Sequence, residues 1–169
     1  MRKALLLLAA ALASPVFAAA PGPLAPPPPM PASAAPATQF IGTALNVVDL
    51  DREIGFYTRG LGFKLAATMP GATRTETILA LPGGAAQPSL LLMHDITAAA
   101  PKAITHGDGF SRLVLRVADL DALAQHLSQL GYEHGAIRTG GQGYRVLIMT
   151  DPEGYRLEIV QPGSPRAGS

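Results

Sequence analysis

What this chain lacks narrows its chemistry before what it has. There is no cysteine, which excludes thiolate zinc sites, a cysteine nucleophile and a lipidated N-terminal cysteine. Ser111 stands beside Arg112, but strand alternation sends the two side chains to opposite faces, and no candidate base accompanies the hydroxyl. The glycine-rich run Thr139–Arg145 precedes a strand rather than a helix. No helix N-terminus is therefore on hand to aim N–H groups at a phosphate, and the run is expected to be a hairpin loop. Four histidines remain. His94 closes the apolar run Leu90–Met93 and is a candidate metal ligand. His106, in Thr105–Gly109, is expected in a loop over a cleft mouth. His126 and His134 are separated by Gly131, present no shared helical face and are expected to be exposed.

The elements that position these groups come in two copies. Leu45-Asn46-Val47-Val48-Asp49-Leu50-Asp51 returns as Leu115-Arg116-Val117-Ala118-Asp119-Leu120-Asp121, and each copy runs on to Leu-Gly-aromatic at Leu61-Gly62-Phe63 and Leu130-Gly131-Tyr132. A repeat on this scale means two supersecondary units that bury their apolar faces together. In the first, Thr43–Val48 alternates as a strand, Asp49 is placed to cap a helix, and Ile54, Tyr57 and Leu61 carry helical spacing up to the cap glycine Gly62. Strands are expected over Lys64–Met69, Thr75–Leu81 and Ser89–His94. The second unit repeats the order: strand Arg112–Val117, cap Asp119, a helix with Leu120, Leu123, Leu127 and Leu130, and a stop at Gly131. Strands then follow over Glu133–Ile137, Tyr144–Thr150 and Tyr155–Val160, the last two joined by the turn Asp151-Pro152-Glu153-Gly154. Each unit reads β-α-β-β-β, an α+β architecture in which one sheet face is covered by the helix. The other face is where a site belongs.

The ends of the chain read differently. Met1-Arg2-Lys3, the apolar run Ala4–Ala13 and the small-x-small sites around Ala18–Ala20 form a secretory signal peptide over 1–20, too short and too interrupted to span a membrane. A Pro/Ala-rich linker over 21–38 holds eight prolines, which fix φ and remove donors, so it is expected to be an extended spacer. The folded domain is expected over 39–162, with repeats 40–97 and 109–162 and a disordered tail 163–169. Export predicts a periplasmic or extracellular location in a bacterial source, with no membrane association once the leader is removed. Thirteen basic residues face twelve acidic ones, and loss of Arg2 and Lys3 with the leader leaves eleven against twelve. No basic stripe stands out in the linear sequence, so nucleic acid is not an expected partner.

Asp49-Leu50-Asp51-Arg52, Phe56-Tyr57 and Leu61-Gly62-Phe63-Lys64 near the start, with Asp151-Pro152-Glu153-Gly154-Tyr155-Arg156-Leu157-Glu158 near the end, resemble the vicinal oxygen chelate superfamily. It includes glyoxalase I, bleomycin-resistance proteins, fosfomycin-resistance enzymes and extradiol dioxygenases. The resemblance runs from about Phe40 to Gln161 and implies two βαβββ repeats around a concave cleft. In metal-dependent members four strand positions present ligands, usually His and Glu from each half. Carried over by motif offset, these positions fall on Gly42, Leu91, Arg112 and Glu158. A slip within Ser89–Asp95 would bring in His94. Glycine and leucine donate nothing and a guanidinium cannot ligate a metal, so no cofactor is expected; a divalent metal on Glu158 and His94 is the alternative. Arg112 and Glu158 would instead pair as a buried guanidinium and carboxylate. Asn46 and Arg116 share strand parity with Gly42 and Arg112, and Tyr144 and Arg145 are expected to join them from a neighbouring strand.

Three functions are consistent with this set. One is a metal-free module binding a small anionic or aromatic molecule at Asn46, Arg112, Arg116, Tyr144, Arg145 and Glu158. The second is a metal-dependent lyase or dioxygenase with an atypical ligand set, and the third is a scaffold that only dimerises. A homodimer is compatible with all three.

Overall fold

The structure is a computed structural model of the chain, and it describes residues 38–83, 87–98, 102–140 and 143–163. The expected leader, all but the last residue of the expected spacer and all but the first of the expected tail lie outside the described residues. Among those described, no helix is long and apolar enough to cross a membrane.

Two four-stranded sheets carry the fold. The first module comprises β1 (Gly42–Val47), α1 (Leu50–Gly55), β2 (Lys64–Pro70), β3 (Arg74–Ala80) and β4 (Ser89–Asp95). The second comprises β5 (Leu113–Arg116), α2 (Leu120–Gln129), β6 (Arg138–Thr139), β7 (Arg145–Thr150) and β8 (Arg156–Gln161). Strand order is β1-β4-β3-β2 in one sheet and β5-β8-β7-β6 in the other, each opening strand parallel to the last strand of its own module. The α+β reading and the internal repeat are thus visible as two copies of one unit.

Equivalent residues do equivalent work in the two copies. Asp49 accepts from Arg52 N and Asp119 from Ala122 N, both at 3.0 Å, satisfying amides at the start of each helix. Gly62 and Gly131 take φ values of 77° and 78°, the left-handed geometry that ends each helical segment and that a side chain resists. After Gly55 the first helix widens into a π-helical turn, Phe56–Gly60. That turn brings both Phe56 and Tyr57 into the core, where both are fully buried. The sequence periodicity marks only Tyr57 of the two.

One expected strand is absent. Glu133–Ile137 is irregular, and pairing with β7 is confined to the two residues of β6. His134 is the reason. It folds back onto α2, with Nε2 3.0 Å from Ser128 Oγ and 3.1 Å from Ala124 O, so this stretch is tied to the helix instead of a ladder. Only Gly135 N reaches across, to Ile148 O at 2.8 Å.

Burial alternates along the central strands, whereas β2 is exposed along its whole length. Leu45 and Val47, Leu90 and Leu92, Leu147 and Met149, and Leu157 and Ile159 point to the helices and form one core with Phe56, Tyr57, Leu120 and Leu127. Their odd-and-even neighbours, among them Ala44, Asn46, Arg112, Val114 and Arg116, lie on the helix-free faces and are exposed.

Candidate functional site

The four positions that the resemblance aligns with metal ligands come together two by two. In the first module a Cβ built on Gly42 would lie 2.9 Å from Leu91 Cδ1 and 2.5 Å from Ser89 O. The leucine side chain therefore fills the space that a larger residue at 42 would need. Leu91 pairs with Ala44 and Ile78 on the helix-free face, whereas His94, three residues on, has the opposite parity. Its Nδ1 lies 3.3 Å from Val47 O. The register slip that would have offered His94 as a ligand does not occur.

In the second module Arg112 Nε contacts Glu158 Oε2 at 2.7 Å. The pair forms, but it is not buried: the side chains are 41 % and 21 % exposed. Arg112 precedes β5, whose edge is unpaired on one side, and no second layer covers this face among the described residues, so water reaches the guanidinium. The residues at all four positions do not suit a divalent ion. One offers no side chain, one is apolar, one is a cation, and the single carboxylate is already engaged by that cation. Among the described residues no group of three or more His, Asp or Glu is close enough to hold a metal.

The remaining expected site residues divide. Arg112 and Arg116 line a cavity of about 460 Å³ with Phe40, Thr43, Phe63 and Phe110, at the meeting of the two modules. Asn46 lines a different cavity, about 440 Å³, with Arg74, Met93, Asp95, Lys102 and Ile104. Tyr144 is 38 % exposed just before β7. Arg145 turns the other way. It shares parity with buried Leu147 and Met149 and makes a two-pronged contact with Asp121 of α2, at 2.6 and 2.7 Å. Hydrogen bonding to Arg145 holds the Asp121 carboxyl below its usual range. Arg145 therefore belongs to the helix side and leaves the site, because adjacent strand residues point to opposite faces and its parity is that of the core-facing Leu147 and Met149.

The histidines are used structurally. His106 Nε2 lies 2.8 Å from Glu153 O, and its ring meets Tyr155 edge-on at 4.6 Å. His126 Nε2 lies 2.7 Å from Arg59 O, joining α2 to the π-helical turn, and His134 is half-buried rather than exposed.

A second cluster is invisible in the linear pattern. Tyr57 OH donates to Asp151 Oδ2 at 2.7 Å, and Asp151 Oδ1 also accepts from Glu153 N and Tyr155 N. Glu153 Oε1 accepts from Val48 N and Asp49 N, and Tyr155 OH donates to Asn46 O. The Asp151–Gly154 turn thereby clasps the first module to the second. Glu53 lies beside this clasp, fully buried, with neither carboxyl oxygen hydrogen-bonded. Burial, followed by repulsion from Asp151 and Glu153, pushes its pKa up to about 8. Burial likewise raises the Asp151 carboxyl.

These geometries agree with what the chain is similar to. The family profile described as Glyoxalase/Bleomycin resistance protein/Dioxygenase superfamily matches residues 39–159. A lactoylglutathione lyase from Pseudomonas putida is 29 % identical over 160 residues, covering 78 % of this chain and 91 % of that protein. One from Haemophilus influenzae is 26 % identical over 136 residues, covering 77 % and 97 %. Among solved structures, the glyoxalase I of Leishmania major superposes with a TM-score of 0.64 at 21 % identity, over 74 % of this chain and 87 % of that one. An antibiotic binding protein from Streptomyces sp. CB03234 superposes with a TM-score of 0.62 at 24 % identity, over 77 % and 100 %. Two βαβββ modules, the paired motifs and the profile match over nearly all the folded residues place this chain in the Glyoxalase/Bleomycin resistance protein/Dioxygenase superfamily.

Proposed function

We propose that this chain is an exported, metal-free binding protein of the superfamily that takes a small anionic or aromatic molecule on its helix-free sheet face, with Arg112 as the anion receptor. The observation that carries the reading is the 2.7 Å contact between Arg112 and Glu158 at a position the resemblance assigns to metal ligands. Glu158 fixes the guanidinium at its Nε, and 41 % exposure of the Arg112 side chain leaves its outer edge accessible to an incoming carboxylate. The adjoining cavity adds aromatic surface from Phe40, Phe63 and Phe110, suited to the apolar body of such a ligand.

The alternative is a metal-dependent lyase or dioxygenase, favoured by the names of the two relatives. It needs donors that Gly42, Leu91 and Arg112 do not provide. A thermal-shift panel of aliphatic and aromatic carboxylates on the wild type and Arg112→Ala tests the proposal. Stabilisation by carboxylates that Arg112→Ala abolishes supports it. An equal response in both proteins refutes Arg112 as the receptor.

A further inference from the structure

Beyond Arg112, the helix-free face of the second sheet is basic in a way that its register reveals. Arg112, Val114 and Arg116 alternate along one line. Val114 pairs with Glu158, and Arg116 with Val160. Across β8, Glu158 pairs with Ile148, Arg156 with Thr150, and Val160 with Val146, which in turn pairs with Arg138. Arg112, Arg116, Arg138 and Arg156 therefore share one face, with Glu158 as its only carboxylate among the described strand residues.

Glu158 is taken by Arg112, and among the described residues Arg116, Arg138 and Arg156 form no ion pair. Like charges fixed on a rigid sheet repel one another, and a surface needing only solubility would interleave signs. The same face of β1 carries Gly42, Ala44 and Asn46 where this one carries Arg112, Val114 and Arg116, so the charge along the opening strand is specific to the second module. Between the cations the face is apolar, with Val114 59 % exposed.

The geometry points to a ligand with two anionic groups joined by an apolar segment, its ends held at Arg112–Arg156 and at Arg116 and its middle lying over Val114. This deepens the proposed function and rests on it, since one end uses the same Arg112. Four residues along a strand separate Arg112 from Arg116 by about 13 Å between Cα atoms, so the ligand is an elongated diacid rather than a compact one.

The test is calorimetric titration of the mature protein with succinate, adipate, suberate, sebacate and, as the single-ended control, octanoate, at fixed ionic strength. Suberate or sebacate should bind about tenfold tighter than octanoate or succinate, the ratio that one added charge-assisted contact supplies. Arg116→Gln should bring the long diacids down to the level of octanoate. Binding of octanoate that depends on Arg112, with no advantage for any diacid, would overturn this inference while leaving the proposed function standing. A diacid advantage that survives Arg116→Gln would overturn the assignment of the second end. No binding of any of these acids would overturn this inference, and the proposed function would then stand or fall on the aromatic carboxylates of its own panel.

Discussion

Tyr57 and Asp151 stand in different repeats, ninety-four positions apart, and meet at 2.7 Å in the interior. Asp151 also receives two backbone amides of its own turn, so one carboxylate closes that turn and ties it to the other module. Burial and the neighbouring Asp151 charge push the Tyr57 hydroxyl well above its ordinary pKa, so it remains a donor across the working pH range. Removing that donor while keeping the ring, as Tyr57→Phe, should lower stability by about 1–3 kcal/mol, the cost of leaving a buried carboxylate short of one partner. Asp151→Ala removes three contacts and should cost more. Urea denaturation of the three proteins checks the order; equal midpoints would show that the Tyr57–Asp151 contact contributes nothing to holding the modules together.

Glu53 gives the fold a pH dependence of definite sign. Below about pH 4.5 its carboxyl is protonated in both folded and unfolded chains. Between there and about 8 the unfolded chain releases the proton while the fold retains it, so stability declines as pH rises through that window, by at most ~1.4 kcal/mol per pH unit. Glu53→Gln should flatten this decline and leave the variant more stable than the wild type near pH 8. Denaturation midpoints at about pH 5 and about pH 8 measure it, on the window set by the shifted carboxyl. Parallel pH profiles for the two proteins would show that Glu53 is ionised and solvated within the fold.

The exposure of Arg112 sets the size of a third effect. A fully buried pair loses ~3–5 kcal/mol when one partner is removed, but a pair open to solvent is worth about 1 kcal/mol or less. Arg112→Ala should therefore change the melting temperature little while abolishing carboxylate binding. A large loss of stability that the double change Arg112→Met with Glu158→Met restores would mean that the pair serves the fold and not a ligand.

The sequence carries the repeat, the caps and most strand positions, because Asp49 and Asp119, Gly62 and Gly131, and the alternating leucines each act through local geometry. It misses features that depend on what lies across the fold. The π-helical turn at Phe56 follows from core packing, and the loss of the strand at Glu133–Ile137 follows from His134 bonding back to α2. Arg145 sits next to Tyr144, and strand alternation sends these adjacent side chains to opposite faces, so Arg145 meets Asp121 on the helix side. Arg138 and Arg156 are isolated cations in the chain, and only the register through Val146, Val160 and Val114 sets them beside Arg112 and Arg116.

Export is a separate expectation, carried by Arg2-Lys3, the apolar run after them and the Ala-x-Ala sites. Mass spectrometry of the mature protein should find its N-terminus near Ala19 or Pro21. An intact Met1 on protein recovered from the cell envelope would contradict it.

The proposed function turns on Arg112 standing at a position that the resemblance assigns to a metal ligand. Elemental analysis of the mature protein, purified without chelator, tests it most directly. The account predicts no stoichiometric zinc, nickel, manganese or iron, in the wild type and in Glu158→Ala alike. One ion per chain in the wild type, lost in Glu158→Ala, would contradict it and return the site to metal chemistry.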